Sequence, residues 1–220
     1  MDMRAWQREQ IAVPKKKAIP VLTFPSVQLL GITVRELISD ADTQAEGMAR
    51  ISERCDTAAA LSMMDLSVEA EAFGSEIRVG DHEVPTVVGH IVDEPEDAEK
   101  LAVPSVGAGR TGLYLDAIVK APDQIASLGA MGYHFGNSIR LREMLTAMPA
   151  DVMVCGNVDP AGAFCNGTPE KVRSDTLAVL NDCCEFPNFI PSSGCDIPPT
   201  TPWENIDEFF RTVAQFYQDR

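Results

Sequence analysis

Residues 151–157, DVMVCGN, and 188–194, NFIPSSG, are short apolar runs, each followed by a helical pattern: TPEKVRSDTLAVL at 168–180 and TPWENIDEFFRTVAQFY at 201–217. Apolar residues three and four apart in the longer runs, against continuous ones in the shorter, read as strand, helix, strand, helix. Strands alternating with helices at this spacing lie parallel and are joined by crossover helices. Thr168 is placed to cap the first helix, with Pro169 at its first position. Thr201 and Glu204 have the spacing of a capping box around Pro202. The stripe of Trp203, Ile206, Phe210, Val213 and Phe216 or Tyr217 is expected to face a core.

The same rhythm extends toward the N-terminus. AMGYHF (130–135) reads as a strand and SIRLREML (138–145) as a helix; AIPVLTF (18–24) and AAALSMM (58–64) are further buried runs. A helix is expected from about Arg4 to Ile11. Val34, Leu37, Ile38, Ala41, Ala45, Met48 and Ile51 predict two helices broken near Ser39–Asp40. Residues 75–92, with β-branched residues flanking Gly80–Asp81, predict a hairpin outside the rhythm. EPEDAEKL (94–101) starts a short helix, and 111–121 is helical again. The total is about five parallel strands, where a closed barrel of this type needs eight and typically about 250 residues.

Among 220 residues, 33 are acidic and 18 basic, a formal net charge of -15. Such a surface repels nucleic acid and anionic membranes, and Lys15–Lys16–Lys17 is too short a basic run to reverse that. No apolar stretch approaches the roughly 20 residues that cross a bilayer. The opening MDMRAWQREQ has no signal-peptide core, so a soluble, cytoplasmic protein folded as one domain over 1–220 is expected. The six cysteines form no C-x-x-C pair and are expected as free thiols.

In a parallel α/β protein the working groups lie at the carboxyl ends of strands. Asp65 follows one run; His134 and Asn137 close another; Cys155, Asn157 and Asp159 close a third; Cys195 and Asp196 close the last. Asp65 and Asp159 can equally cap the next turn, Asn157 can bond loop backbone, and Cys155 can simply pack. Cys195 stands out between Ser193–Gly194 and Asp196–Ile197–Pro198–Pro199, a turn that holds one thiol at the mouth. A thiolate there serves as a nucleophile or as a soft ligand for zinc.

Four segments together resemble one family: MDLSVEAEAFG (64–74), EPEDAEKLAVPSVGAGRTGLYLDAI (94–118), GNVDPAGAFCNGTPEKVR (156–173) and SSGCDIPPTTPWENI (192–206). They are similar to the uroporphyrinogen decarboxylase-like barrel superfamily, and within it to the cobalamin-dependent methyltransferases of the methylcobamide:coenzyme M type. The resemblance implies a TIM-type (β/α) barrel. It also implies an internal deletion near 121–122, because residues 1–121 resemble the family's N-terminal part and 122–220 its C-terminal part. About three strand–helix units are absent between them, on the order of 100 residues at roughly 30 or more per unit.

The resemblance further implies methyl transfer between a corrinoid, on a partner protein or as substrate, and a thiol or other acceptor. In the family, zinc lowers the acceptor thiol's pKa so that its thiolate attacks the methyl group on cobalt. Cys195 matches the family's C-terminal zinc ligand. The H-x-C pair that completes the site is missing, since Tyr133-His134-Phe135-Gly136-Asn137 has Phe135 at the cysteine position. Asp65, Glu69, Asn157 and Asp159 are expected to shape the mouth as polar groups. No arginine adjoins these residues in their motifs, so the rim is expected to repel a polycarboxylate. A decarboxylase-type lyase is the alternative enzyme, although FPSVQLLGI (24–32) stands where its R-Q-A-G-R motif belongs. A catalytically inactive relative that binds a corrinoid protein, or a homo-oligomer that covers open strand edges, is the alternative outside catalysis.

Overall fold

The computed structural model describes residues 2–120 and 132–220. A parallel sheet contains β3 (Gly132–His134), β4 (Met153–Val158) and β5 (Phe189–Ser193), in that order. His134 stands opposite Cys155, and Cys155 opposite Ile190. Residues 18–24 run alongside β5 in the same sense: Ile19 N–H donates to the Pro191 carbonyl at 2.9 Å and Val21 N–H to Ser193 Oγ at 3.2 Å. Residues 58–64 flank 18–24 in turn, with Ala58 N–H on the Ala18 carbonyl at 3.1 Å. Five extended segments thus lie in the order 58–64, 18–24, β5, β4, β3.

Two of the expected strands are extended but form no continuous ladder. Pro20 and Pro191 lack an N–H, so the seam between 18–24 and β5 loses donors on both sides. Ser193 Oγ takes the place of a backbone acceptor there, and Ser192 Oγ donates to the Ile19 carbonyl at 2.8 Å. The first segment lying beside the last strand is the arrangement of a TIM-barrel-like sheet. Among the described residues the sheet is an arc and does not close.

Alternation along the strands divides the core. Leu22, Val154, Val158 and Phe189 pack against α8 (Leu141–Ala147), α9 (Pro169–Cys183) and α10 (Trp203–Gln218). Ile19, Met153 and Ile190 face the other way, toward Trp6 and Ile11 of α1 (Met3–Ala12). Smaller apolar clusters hold α2 (Ser26–Leu30), α3 (Val34–Ser39) and α4 (Ala41–Arg54), the last packing Met48 with Ala117 of α7 (Thr111–Lys120). The break at Ser39–Asp40 falls where expected, with Asp40 capping α4.

Elsewhere the structure departs from the sequence reading. The hairpin forms from β1 (Glu76–Arg78) and β2 (Thr86–Val88), antiparallel, with a wide turn over 79–85. The capping box at Thr201 and Glu204 is not made: Pro202 is the cap residue, and Thr201 Oγ1 is buried without a partner. Within α10, Phe209 takes the central core place that was expected of Phe210, against Phe164. Ala130 and Met131 of the expected strand, and residue 121 of the expected helix, lie outside the described residues. Between 58–64 and residue 120 the chain forms α5 (Ser67–Ala72), the hairpin, α6 (Pro95–Lys100) and α7, with α5 packed on the hairpin and on α7. Among the described residues no helix is long and apolar enough to cross a membrane.

Candidate functional site

The ends of 58–64 and of β5 meet at one place. Asp196, just past β5, accepts the Met64 N–H on Oδ2 at 2.6 Å, and the Cys195 thiol lies 3.6 Å from the Met64 sulfur. Met64 is followed directly by Asp65, whose side chain is only 1% exposed. Oδ1 of Asp65 accepts from Ser67 N–H at 2.9 Å and Ser67 Oγ at 2.5 Å. Its Oδ2 accepts from Arg110 Nη1 at 2.6 Å and from the Tyr114 hydroxyl at 2.7 Å. Arg110 also donates through Nε to Glu71 at 2.6 Å and through Nη2 to Ser67 Oγ at 3.0 Å. A buried carboxylate is thus matched by a nearly buried guanidinium.

These surroundings push the two aspartates apart. Burial opposes ionisation of Asp65, but the hydrogen bonds from Ser67, Arg110 and Tyr114 outweigh it and hold its carboxyl below the ordinary range. Asp196 lacks such donors. Burial, with the charge of Asp65 nearby, pushes it up to about 7 against the one N–H bond from Met64. Its Oδ1 is sealed from solvent and has no hydrogen-bond partner. Burial and the same Asp65 charge push the Tyr114 hydroxyl far up, so it stays a donor.

The remaining sequence candidates are placed differently. Asn157 donates to the carbonyls of Gly136 at 3.0 Å and Ile139 at 2.7 Å, tying the loop after β3 to the end of β4. Asp159 accepts the N–H groups of Ala161 and Gly162, both at 2.9 Å, and caps the π-helical turn Pro160–Cys165. Glu69 is exposed on α5 and borders a hollow of 380 Å³ that also touches Phe73, Val106 and Tyr114. His134 lies 3.0 Å from Ser192 Oγ on the neighbouring part of the sheet, its pKa lowered by burial. Cys155 is packed against Ile190, and burial pushes its thiol up to about 12.

The expectation of a mouth without arginine is overturned. Arg110, distant in sequence from the strand-end motifs, turns into Asp65 at the start of α7. Arg110 and Tyr114 are four residues apart, so one face of a helical turn presents both. That spacing in GRTGLY, with the Asp65-x-Ser67 turn, was the available signal. Met64 carried no such signal.

Among the described residues no three His, Cys, Asp or Glu side chains converge to hold a metal. A catalytic zinc takes three protein ligands. Among the described residues Cys195, with a thioether and one carboxylate beside it, does not make up a zinc site.

Fold and site together define a TIM-barrel-like α/β protein with a buried, charge-paired cluster at the carboxyl ends of its strands. The uroporphyrinogen decarboxylase (URO-D) family model matches residues 21–121 and 119–216. The chain belongs to the uroporphyrinogen decarboxylase family. It is 39% identical over 200 residues to the methylcobamide:CoM methyltransferase MtbA of Methanosarcina acetivorans, an alignment covering 82% of this chain and 53% of that protein. The MtbA of Methanosarcina mazei is 34% identical over the same shares. The chain spans about half the length of these curated relatives. A solved methyltransferase from Methanosarcina mazei superposes with a TM-score of 0.72 at 16% identity, covering 98% of each chain, and supports the fold.

Proposed function

We propose that this chain carries the two ends of a barrel that transfers a methyl group between a corrinoid and a thiol or other acceptor. The corrinoid is carried by a partner protein or enters as substrate, and the setting is the cytoplasm. On this reading one domain spans 1–220, and a central segment of the family barrel is absent near 121–122. Similarity to proteins named methylcobamide:CoM methyltransferases supports the reaction class. The matching of the family in two pieces that meet at 119–121 supports the internal deletion.

The observation that favours a corrin over a polycarboxylate is the state of Arg110. Its Nη1 and Nε are taken by Asp65 and Glu71, so the cluster presents no open cation, and the carboxylates that reach solvent beside it are Glu69 and Glu71. Amide side chains of a corrin can hydrogen-bond to such a rim; the many carboxylates of a porphyrinogen would be repelled. Asp65 and Glu69 border the mouth, Asn157 and Asp159 hold its loops, and Cys195 presents a thiol. If a longer form contains the H-x-C segment, Cys195 would join it in holding zinc, which would supply a lowered acceptor-thiol pKa.

Spectral titration with methylcobalamin and with free uroporphyrinogen, each at low and high salt, tests the ligand class. Measurable, salt-insensitive binding of the methylcorrinoid is expected. Tight, salt-sensitive binding of uroporphyrinogen would move the assignment to the decarboxylase-type lyase. The incomplete metal donor set and the arc's open edges favour a second reading, an inactive relative that binds a corrinoid protein or another copy of the chain. Binding of the methylcorrinoid without transfer to any thiol would select that reading.

A further inference from the structure

We propose that the hollow between residues 15–18 and α10 binds a small organic anion with an apolar body, of the medium-chain or aryl carboxylate class. Its volume is about 400 Å³, within the roughly 300–1,000 Å³ of small-molecule sites. Ala18 and Asp56 border it, and both stand where the extended segments 18–24 and 58–64 begin. The hollow is therefore at the amino ends of the strands, opposite to Asp65 and Cys195. This inference does not depend on methyl transfer.

Charge sets this place apart. Lys15, Lys16, Lys17 and Arg211 all line the hollow, against Asp56 as its acidic lining residue. Four cations from two distant stretches thus converge in a chain of net charge -15. Lys17 pairs with Asp56, both of them exposed, and such a pair is weak enough to yield to a bound anion. Arg211 is held by Glu208, whereas Lys15 makes no ion pair among the described residues. Lys16 is only 9% exposed. Its Nζ donates to the carbonyls of Gln10 at 2.7 Å and Ile11 at 2.8 Å, which leaves a third donor on the ammonium. Burial pushes its pKa down to about 8, a penalty that a nearby anion would offset.

The floor is apolar. Phe210, Val213 and Tyr217 are three and four residues apart on α10, so one face of the helix presents all three, and Ala214 lines the hollow beside them. A cationic rim over such a floor matches one anionic head on a hydrocarbon body. An inorganic anion would leave the floor uncovered, and a neutral hydrocarbon would leave the rim unused.

Calorimetric titration of the full chain with decanoate, butyrate and decyltrimethylammonium, each below its micelle range, tests the site. One decanoate is expected to bind, at least about 10-fold more tightly than butyrate because the longer chain covers the floor. Decyltrimethylammonium should not compete with it. Lys15→Gln combined with Lys17→Gln should weaken decanoate binding by about 10-fold or more. Ala214→Trp, at an exposed helix position, fills the hollow and should abolish binding. Circular dichroism confirms the fold of each variant. Lys100→Gln removes an exposed cation from α6 and should leave the affinity unaltered. No decanoate binding, equal affinity for the ammonium, full affinity in Ala214→Trp, or an equal loss in Lys100→Gln would each overturn the assignment.

Discussion

Residues 132–220 and residues 64–115 follow opposite physical rules. The first region is a parallel sheet with its helices packed on it, and Val154, Phe164, Phe189, Ile206 and Phe209 are entirely buried. The second has short helices and a two-stranded hairpin. Among the described residues most of the exposed large hydrophobic side chains lie in it, including Val103 at 85% and Val106 at 95% exposure. Yet that poorly covered region supplies Met64, Asp65, Ser67, Arg110 and Tyr114, most of the candidate site. Its order comes from a charge network, where the other region's comes from packing.

Substitutions can break this contrast. Phe209→Ala should cost about 3–5 kcal/mol in urea unfolding, whereas Val106→Ala should stay within about 0.5 kcal/mol. A comparable loss at both positions would mean that Val106 is covered in solution, by a second copy or another partner, and a concentration-dependent midpoint would reveal which. Arg110→Ala should cost about 3 kcal/mol, because it leaves Asp65 charged and buried without its cation. A loss below about 1 kcal/mol would show that the network is not what orders 64–115.

The pH dependence sharpens the same point. The Asp65 carboxyl is held below its ordinary value of 3.8 in the folded chain. Its contribution is therefore complete above the unfolded value and lost as pH falls through the folded one. Compared at about pH 5 and below, under the range in which Asp196 titrates, the stability advantage of wild type over Asp65→Asn should shrink as pH falls below about 4. An advantage that instead grew on acidification would reverse the sign of the shift. The smallest effect belongs to Thr201→Val: its hydroxyl is buried and unpartnered, so removal should change stability by less than about 1 kcal/mol, on the favourable side.

The sequence reading succeeded in the region that packing governs. In 151–217 apolar spacing reports directly on buried faces, and Thr168 does cap α9, accepting the Lys171 N–H at 3.4 Å. It failed at Thr201 because Pro202 itself became the helix cap, leaving the threonine side chain turned into the core. It singled out Asp65 and Cys195 because both end extended runs. It did not find Arg110, Tyr114 or Met64, since a pairing across 45 residues leaves no periodic mark. Asn157 and Asp159 were visible as polar strand-end residues, but residue type alone does not separate a loop clamp from a group that faces a ligand.

The seam between 18–24 and β5 also has a temporal meaning. Val21 meets Ser193 across 172 residues of chain, so the middle of the sheet is assembled from its two most distant parts. During synthesis the edge of 18–24 that faces β5 must wait until the 172 residues between Val21 and Ser193 have emerged. Such long-range contacts slow folding and lengthen exposure to aggregation. The chain is thus more dependent on protection during its birth than its finished core would indicate.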